Sequence, residues 1–405
     1  MKKSLVLMAM AGVALAGCVN DVADVAQSKE KQKITFGTPL SYSNGSRANV
    51  AGEINNPYPI KESFTIYATE YLRGSYAGWG QKATGFDGDP AVYDSNVDGW
   101  APKENGTNYY YWTDGYDMAF AACSPHDLEE GYGEKTYGAD GLTITDFMVQ
   151  ENSKEQYDLM FSQRVYDKNA SHLNKVEGDY SGIQLTFQHA LSSIHFSILN
   201  ETLLASDETQ HVDVKLKSVT ISNVYNKGTF KENITEKTDG NYNKTYNKGT
   251  GGNVAPEWTI EDEDSKNSQP YVAYQSGSSD LYFPSVQQYI SNYIDKLKEQ
   301  NASANYGEAI PLLLLPQDLP NEACINVKYE VENSSAEGGF EEKNKTIKIK
   351  DIVDAHENPL TPTWEIGTRY TYRLVYTTEV AKANRIYFAP TVEDWADGGI
   401  VVVHL

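Results

Sequence analysis

From Ile34 onward the chain is punctuated as strands and turns: short alternating apolar runs stand between clusters of Gly, Asn, Asp and Pro. Phe64-Thr65-Ile66-Tyr67-Ala68 alternates, as do Leu142-Thr143-Ile144-Thr145-Asp146-Phe147 and Leu185-Thr186-Phe187. Val212-Asp213-Val214-Lys215-Leu216 alternates too, with Val219 and Ile221 resuming one face after a step. Ile325 to Val331, Ile347 to Ile349, Tyr370 to Tyr376 and Ile400 to Val403 repeat the pattern. Alternation turns one face to a core and the other to water. Many such runs without interleaved helices predict an all-β chain of packed sandwiches, not a parallel α/β sheet. The aromatic balance agrees, because 29 Tyr against 12 Phe and 6 Trp suits half-buried strand faces.

One helix interrupts the pattern. Val286, Tyr289, Ile290, Tyr293, Ile294 and Leu297 share a face at steps of three and four, which predicts a short amphipathic helix over 286–299. Ser285 with Gln288 three residues later reads as its capping box. Leu312 to Leu315, between Pro311 and Pro316, reads as a buried strand. Lys175 to Gly182 is polar, carries two glycines, and separates two strand-rich halves. The expected organisation is therefore a domain over 34–176 and a second over 177–405, the helix lying in the second.

The charge balance is 34 Lys+Arg against 56 Asp+Glu, a net −22. That excludes a sequence-general grip on nucleic acid, which needs a basic surface.

Residues 1–17 read as a signal segment. Lys2 and Lys3 precede the apolar run Leu5 to Leu15, which is too short to span a membrane. It closes as Leu15-Ala16-Gly17-Cys18, which resembles the lipobox of bacterial lipoproteins. The resemblance implies cleavage before Cys18 and acylation of its thiol and new amino group, a lipid anchor that does not span the bilayer. An ordinary signal peptide that contains a cysteine is the alternative. Residues 18–33 read as a polar tether. Cys123 and Cys324 remain, and two buried thiols are expected rather than a disulfide.

Catalytic signatures are missing from the sequence: there is no Gly-x-Ser-x-Gly elbow, phosphate loop, Gly-x-Gly-x-x-Gly or His-Glu-x-x-His. His189 shares strand parity with Leu185 and Phe187 and reads as a hydrogen-bonded core histidine. Asp94, Asn96 and Asp98, followed by Gly99, match the first half of a calcium loop. Position twelve is Asn105 where a bidentate Glu is expected, so a solvated turn cluster is the competing reading. No other cofactor is expected. Tyr109-Tyr110-Tyr111-Trp112 reads either as a glycan-stacking platform or as plain strand packing.

A family resemblance runs along nearly the whole mature chain. Leu185-Thr186-Phe187-Gln188-His189-Ala190-Leu191-Ser192-Ser193-Ile194-His195-Phe196 resembles the signature of the fimbrillins, lipoprotein precursors of Bacteroidales type V pili. Tyr116 to Pro125, Asp158-Leu159-Met160, Val219 to Val224, Gly228-Thr229-Phe230, Leu314 to Gln317, Trp364, Gly367, Tyr370-Thr371-Tyr372 and Ile386 to Trp395 are similar to further family stretches, in the family's order. The resemblance implies two tandem transthyretin-like β-sandwich domains and export to the outer membrane surface. It also implies Arg-specific cleavage behind the first strand, which frees a groove for a neighbouring subunit's strand.

Residues of this chain suit that scheme. Ile34-Thr35-Phe36 reads as a short first strand, the Ser/Asn/Gly-rich stretch Ser41 to Ala51 is expected to be exposed and cleavable, and Arg47 is the only arginine before residue 73. Arg47 is thus either a processing site or an inert loop residue. A removed strand would leave unpaired backbone groups that an incoming strand satisfies. The candidate donor is the tail, with Ile400, Val401, Val402, Val403 and Leu405 as its apolar residues; the alternative is that this run completes its own sheet. Expected partners are other pilus subunits and a surface receptor or glycan. The rival to a fimbrial subunit is a permanently anchored glycan-binding lipoprotein that does not polymerise.

Overall fold

Two long strands of the first half are buried on both faces, and this sets its architecture. The computed structural model describes residues 32–37, 63–76, 78–79, 87–104, 108–162, 164–172, 182–185, 187–234, 256–260, 265–352, 363–377, 388–389 and 396–404; for 103–104, 172, 184, 388–389 and 396–404 it describes backbone alone. The first strands are β1 (Phe36–Gly37), β2 (Phe64–Leu72), β3 (Asp87–Asp94), β4 (Gly99–Glu104) and β5 (Tyr116–Ser124). A hairpin follows, β6 (Glu134–Gly138) with β7 (Gly141–Met148), then β8 (Met160–Ser162), β9 (Ile183–Gln184) and β10 (Phe187–His189).

The main sheet runs β9-β1-β4-β3-β2-β5-β8-β10. Its two end strands are separated in the chain by Leu185 and Thr186 alone, so the sheet curls until its ends meet. Period-two alternation sends Phe64, Ile66 and Ala68 of β2 and Met118, Phe120 and Ala122 of β5 into the curl. The opposite parity is not left to water. Tyr67, Cys123 and Phe161 pack instead against the hairpin sheet, where Tyr67 stacks on Tyr137 at 4.8 Å and Phe161 meets Phe230 at 5.2 Å. Cys123 and Cys324 are both buried free thiols.

The second half supplies β11 (Ser192–Asn200), β12 (Val214–Ser222), β13 (Lys227–Lys231), β14 (Glu257–Ile260), β15 (Tyr271–Gln275), the helix α1 (Ile290–Gln300) and β16 (Leu312–Leu314). After these come β17 (Cys324–Glu332), β18 (Phe340–Lys348), β19 (Thr368–Tyr376), β20 (Phe388–Ala389) and β21 (Ala396–His404). One sheet holds β11, β19, β21 and β20 side by side, and a second holds β15, β12, β17 and β18. Their buried core joins Ile194, Phe196, Tyr372 and Leu374 with Val214, Leu216, Ile221 and Val327. Each such side chain contributes roughly 1.5–3 kcal/mol of apolar burial. The step in the β12 pattern is a register shift between Leu216 and Ser218, which turns Val219 back to the core face. Leu312 to Leu314 is the expected buried strand and pairs with β11.

One pairing links the two halves, and one expectation shifts. Backbone pairing crosses residue 176, because β13 binds β7 with Phe230 opposite Ile144. The helix begins at Ile290 rather than 286, because Gln288 and Tyr289 pair with β11 instead. Val286 is consequently 65% exposed, and Ser285 caps nothing: the cap residue is Tyr289, without a side-chain bond. Sheet pairing overrides the helical period at that end.

Candidate strand-acceptor slot

Residues 32–37 lie between β4 and β9 and are hydrogen-bonded along both edges. Phe36 stands opposite Trp100 in antiparallel pairing and opposite Ile183 in parallel pairing. On one side Ile34 N donates to Tyr110 O at 2.9 Å and Trp112 N to Gln32 O at 3.1 Å. On the other, Ile183 N donates to Thr35 O at 2.8 Å and Leu185 N to Gly37 O at 2.9 Å. The expected segment is thus paired, with Phe36–Gly37 as its regular strand; upstream of it Lys33 bridges Tyr111, and its Nζ lies 4.0 Å from the centre of the Tyr109 ring.

The side chains explain why the segment stays. Ile34 and Phe36 are fully buried inside the curled sheet. Phe36 meets Phe120 edge-on at 5.1 Å and Phe64 at 6.5 Å. Such pairs add to plain burial, by about 0.5–1.5 kcal/mol each.

Gly182 fixes the seat from the other side. Its φ is +137°, and a Cβ there would fall 2.3 Å from the Thr35 carbonyl oxygen and 2.6 Å from Phe36 N. Only glycine permits that approach. In the sequence Gly182 closes a polar boundary stretch, which conceals its place in the slot. The alternating Ile183-Gln184-Leu185 after it was the available signal.

Taking residues 32–37 away would bare the edges of β4 and β9 and empty two apolar positions at once. A foreign strand could restore both sets of contacts, which is the chemistry of strand addition.

The other predicted residues fall elsewhere. Cys18, Arg47 and Leu405 lie outside the described residues. Ile400, Val401, Val402 and Val403 belong to β21, whose backbone pairs in parallel with β19, Thr371 opposite Ile400 and Leu374 opposite Val403. Asp94 is buried and closes its own turn: Oδ1 accepts from Asn96 N and Nδ2, both at 2.9 Å, and Oδ2 accepts from Tyr109 OH at 2.5 Å. Asp98 accepts from Tyr93 OH at 3.3 Å and takes a left-handed backbone, φ +50°. Among the described residues no group of three or more His, Cys, Asp or Glu is placed to hold a metal ion. Tyr109 to Trp112 form no open platform, since Trp112 is buried against Phe120 and Tyr111 alone of the four is well exposed.

Both histidines of the signature are structural. His189 Nδ1 lies 2.8 Å from Asp158 Oδ1. His195 Nε2 lies 2.8 Å from Ser193 Oγ, and burial beside the Arg369 guanidinium pushes its pKa down to about 3. A histidine held neutral so far below pH 7 is a poor base for its serine neighbour.

No curated protein matches this chain. Among solved structures it is similar to a fimbrial protein from Bacteroides vulgatus, at 17% identity over 77% of this chain and 87% of that one, with a TM-score of 0.43. It is also similar to a fimbrial protein from Bacteroides ovatus, at 12% identity over 93% of this chain and 51% of that one, with a TM-score of 0.32. A family model described as fimbrillin-like matches residues 76–395, well over half the chain, and the chain belongs to that family.

Proposed function

We propose that this chain is a non-catalytic, cell-surface fimbrial subunit that accepts a strand from another subunit. It is exported as an outer-membrane lipoprotein acylated on Cys18, cut after Arg47, and then completed by strand addition. The observation that carries this reading is the seat of residues 32–37: a short segment, hydrogen-bonded on both edges, plugging an apolar interior, and followed by the stretch that contains Arg47. A cut at Arg47 would sever plug, tether and anchor from the body in one event. The two-domain division at 176/177 remains part of this reading, with the β13–β7 pairing as its link.

The pairing of β21 with β19 supports a terminal or accessory position. A subunit whose β21 completes its own sheet has an acceptor slot but does not hold β21 free for donation. Adhesion to a receptor or glycan would then fall to its exposed faces.

The test uses cells that express the chain. Sheared surface filaments should contain a form whose N-terminus is Ala48. An uncut, acylated form that stays wholly with the membrane fraction and binds polysaccharide would overturn the proposal in favour of an anchored capture protein.

A further inference from the structure

The slot carries information about its occupant, an inference that rests on the strand-acceptor reading above. Phe36 fills its position completely, wedged edge-on between Phe120 and Phe64, with Trp100 opposite it on β4. Gly182 presses on the backbone at Thr35 and Phe36, so a strand in this seat is confined by glycine on one side and by β4 on the other. A smaller side chain at the Phe36 position therefore leaves a void rather than drawing its strand inward, since interiors relax only in part around a missing group. We propose that the slot selects an extended segment of a different protein, one with a large aliphatic residue and an aromatic residue two positions later, and rejects the tail of a second copy of this chain.

Two independent observations separate the tail from the slot. Its alternate residues are Ile400, Val402 and His404 on one parity and Val401, Val403 and Leu405 on the other. Neither parity offers an aromatic hydrocarbon ring, and the first would place an imidazole in an apolar site. The tail is also committed, being paired with β19 from Thr368 to Val375. Self-complementation would thus empty one sheet to fill another poorly.

The test uses the full chain with a site-specific protease sequence inserted within residues 38–62, so that the outcome does not depend on Arg47. After cutting, labelled peptides exchange with the plug in urea below the unfolding transition, read by fluorescence anisotropy. The peptides are residues 32–37, the same with Phe36→Val, and residues 400–405. A parallel protein with Phe36→Ala loosens the resident plug. The expected result is uptake of the 32–37 peptide, with the Phe36→Val peptide and the tail peptide at least about tenfold weaker. Equal uptake of the tail peptide overturns the selectivity and leaves the acceptor slot standing. No uptake of any peptide in either protein overturns the slot reading and this inference with it.

Discussion

Gly182 and Thr35 approach so closely that the space between their backbones has no room for one carbon atom. A Cβ on Gly182 would stand 2.3 Å from the Thr35 oxygen, at a φ of +137° that L residues avoid. Gly182→Ala should therefore act on the plug segment first. The expected loss is about 2–4 kcal/mol in urea unfolding, with faster proteolysis between residues 38 and 62 in the native state. An unchanged midpoint and unchanged proteolysis would show that the contact does not hold the plug.

Phe36→Ala should cost about 3–5 kcal/mol, as large-to-small changes in packed cores do. Tyr111→Ala, at a side chain 43% exposed on the segment bridged to Lys33, should stay within about 0.5 kcal/mol. Comparing the two unfolding midpoints checks the assignment, and equal costs would contradict it.

His195 gives the fold an acid sensitivity with a defined window. Burial beside Arg369 lowers its pKa from 6.5 to about 3 in the folded chain. The unfolded chain binds a proton below pH 6.5 that the folded chain refuses. The contribution of the neutral ring is therefore complete above pH 6.5 and is lost as pH falls toward 3. Between pH 7 and 5 the wild-type chain should lose about 2 kcal/mol more than His195→Gln, which retains a polar partner for Ser193. Parallel urea curves for the two proteins would refute the shift.

Deleting residues 396–405 should expose the edge of β19 over Thr368 to Val375. A bare inner strand recruits other strands, so the truncated chain should associate at micromolar concentration, with light scattering as the measure. A monomeric truncated chain with the full-length stability would mean that β21 is dispensable to its own sheet and free to be donated.

Several elements were legible because their physics is local. Leu312 to Leu314 is apolar between prolines and forms the buried strand β16. The skipped beat after Leu216 already encoded the register shift of β12. The segment Ile34 to Phe36 carried the first-strand signal in three residues. The helix start was misplaced because its first residues obey two periods at once. Tyr289 fits the helical face and Gln288 the capping box, but Ser197 and Ile198 lie across from them and claim their backbone groups.

Alternation, turn residues and acidic charge together determined an all-β, negatively charged chain. Each of those properties depends on residues near one another in the chain. Tertiary structure alone decided that β9 and β10 close one sheet on itself, that Gly182 bears on Thr35, and that β21 lies beside β19. The last two of these contacts join segments apart in sequence, and a local pattern that marks a strand does not specify which distant strand its edge will pair with.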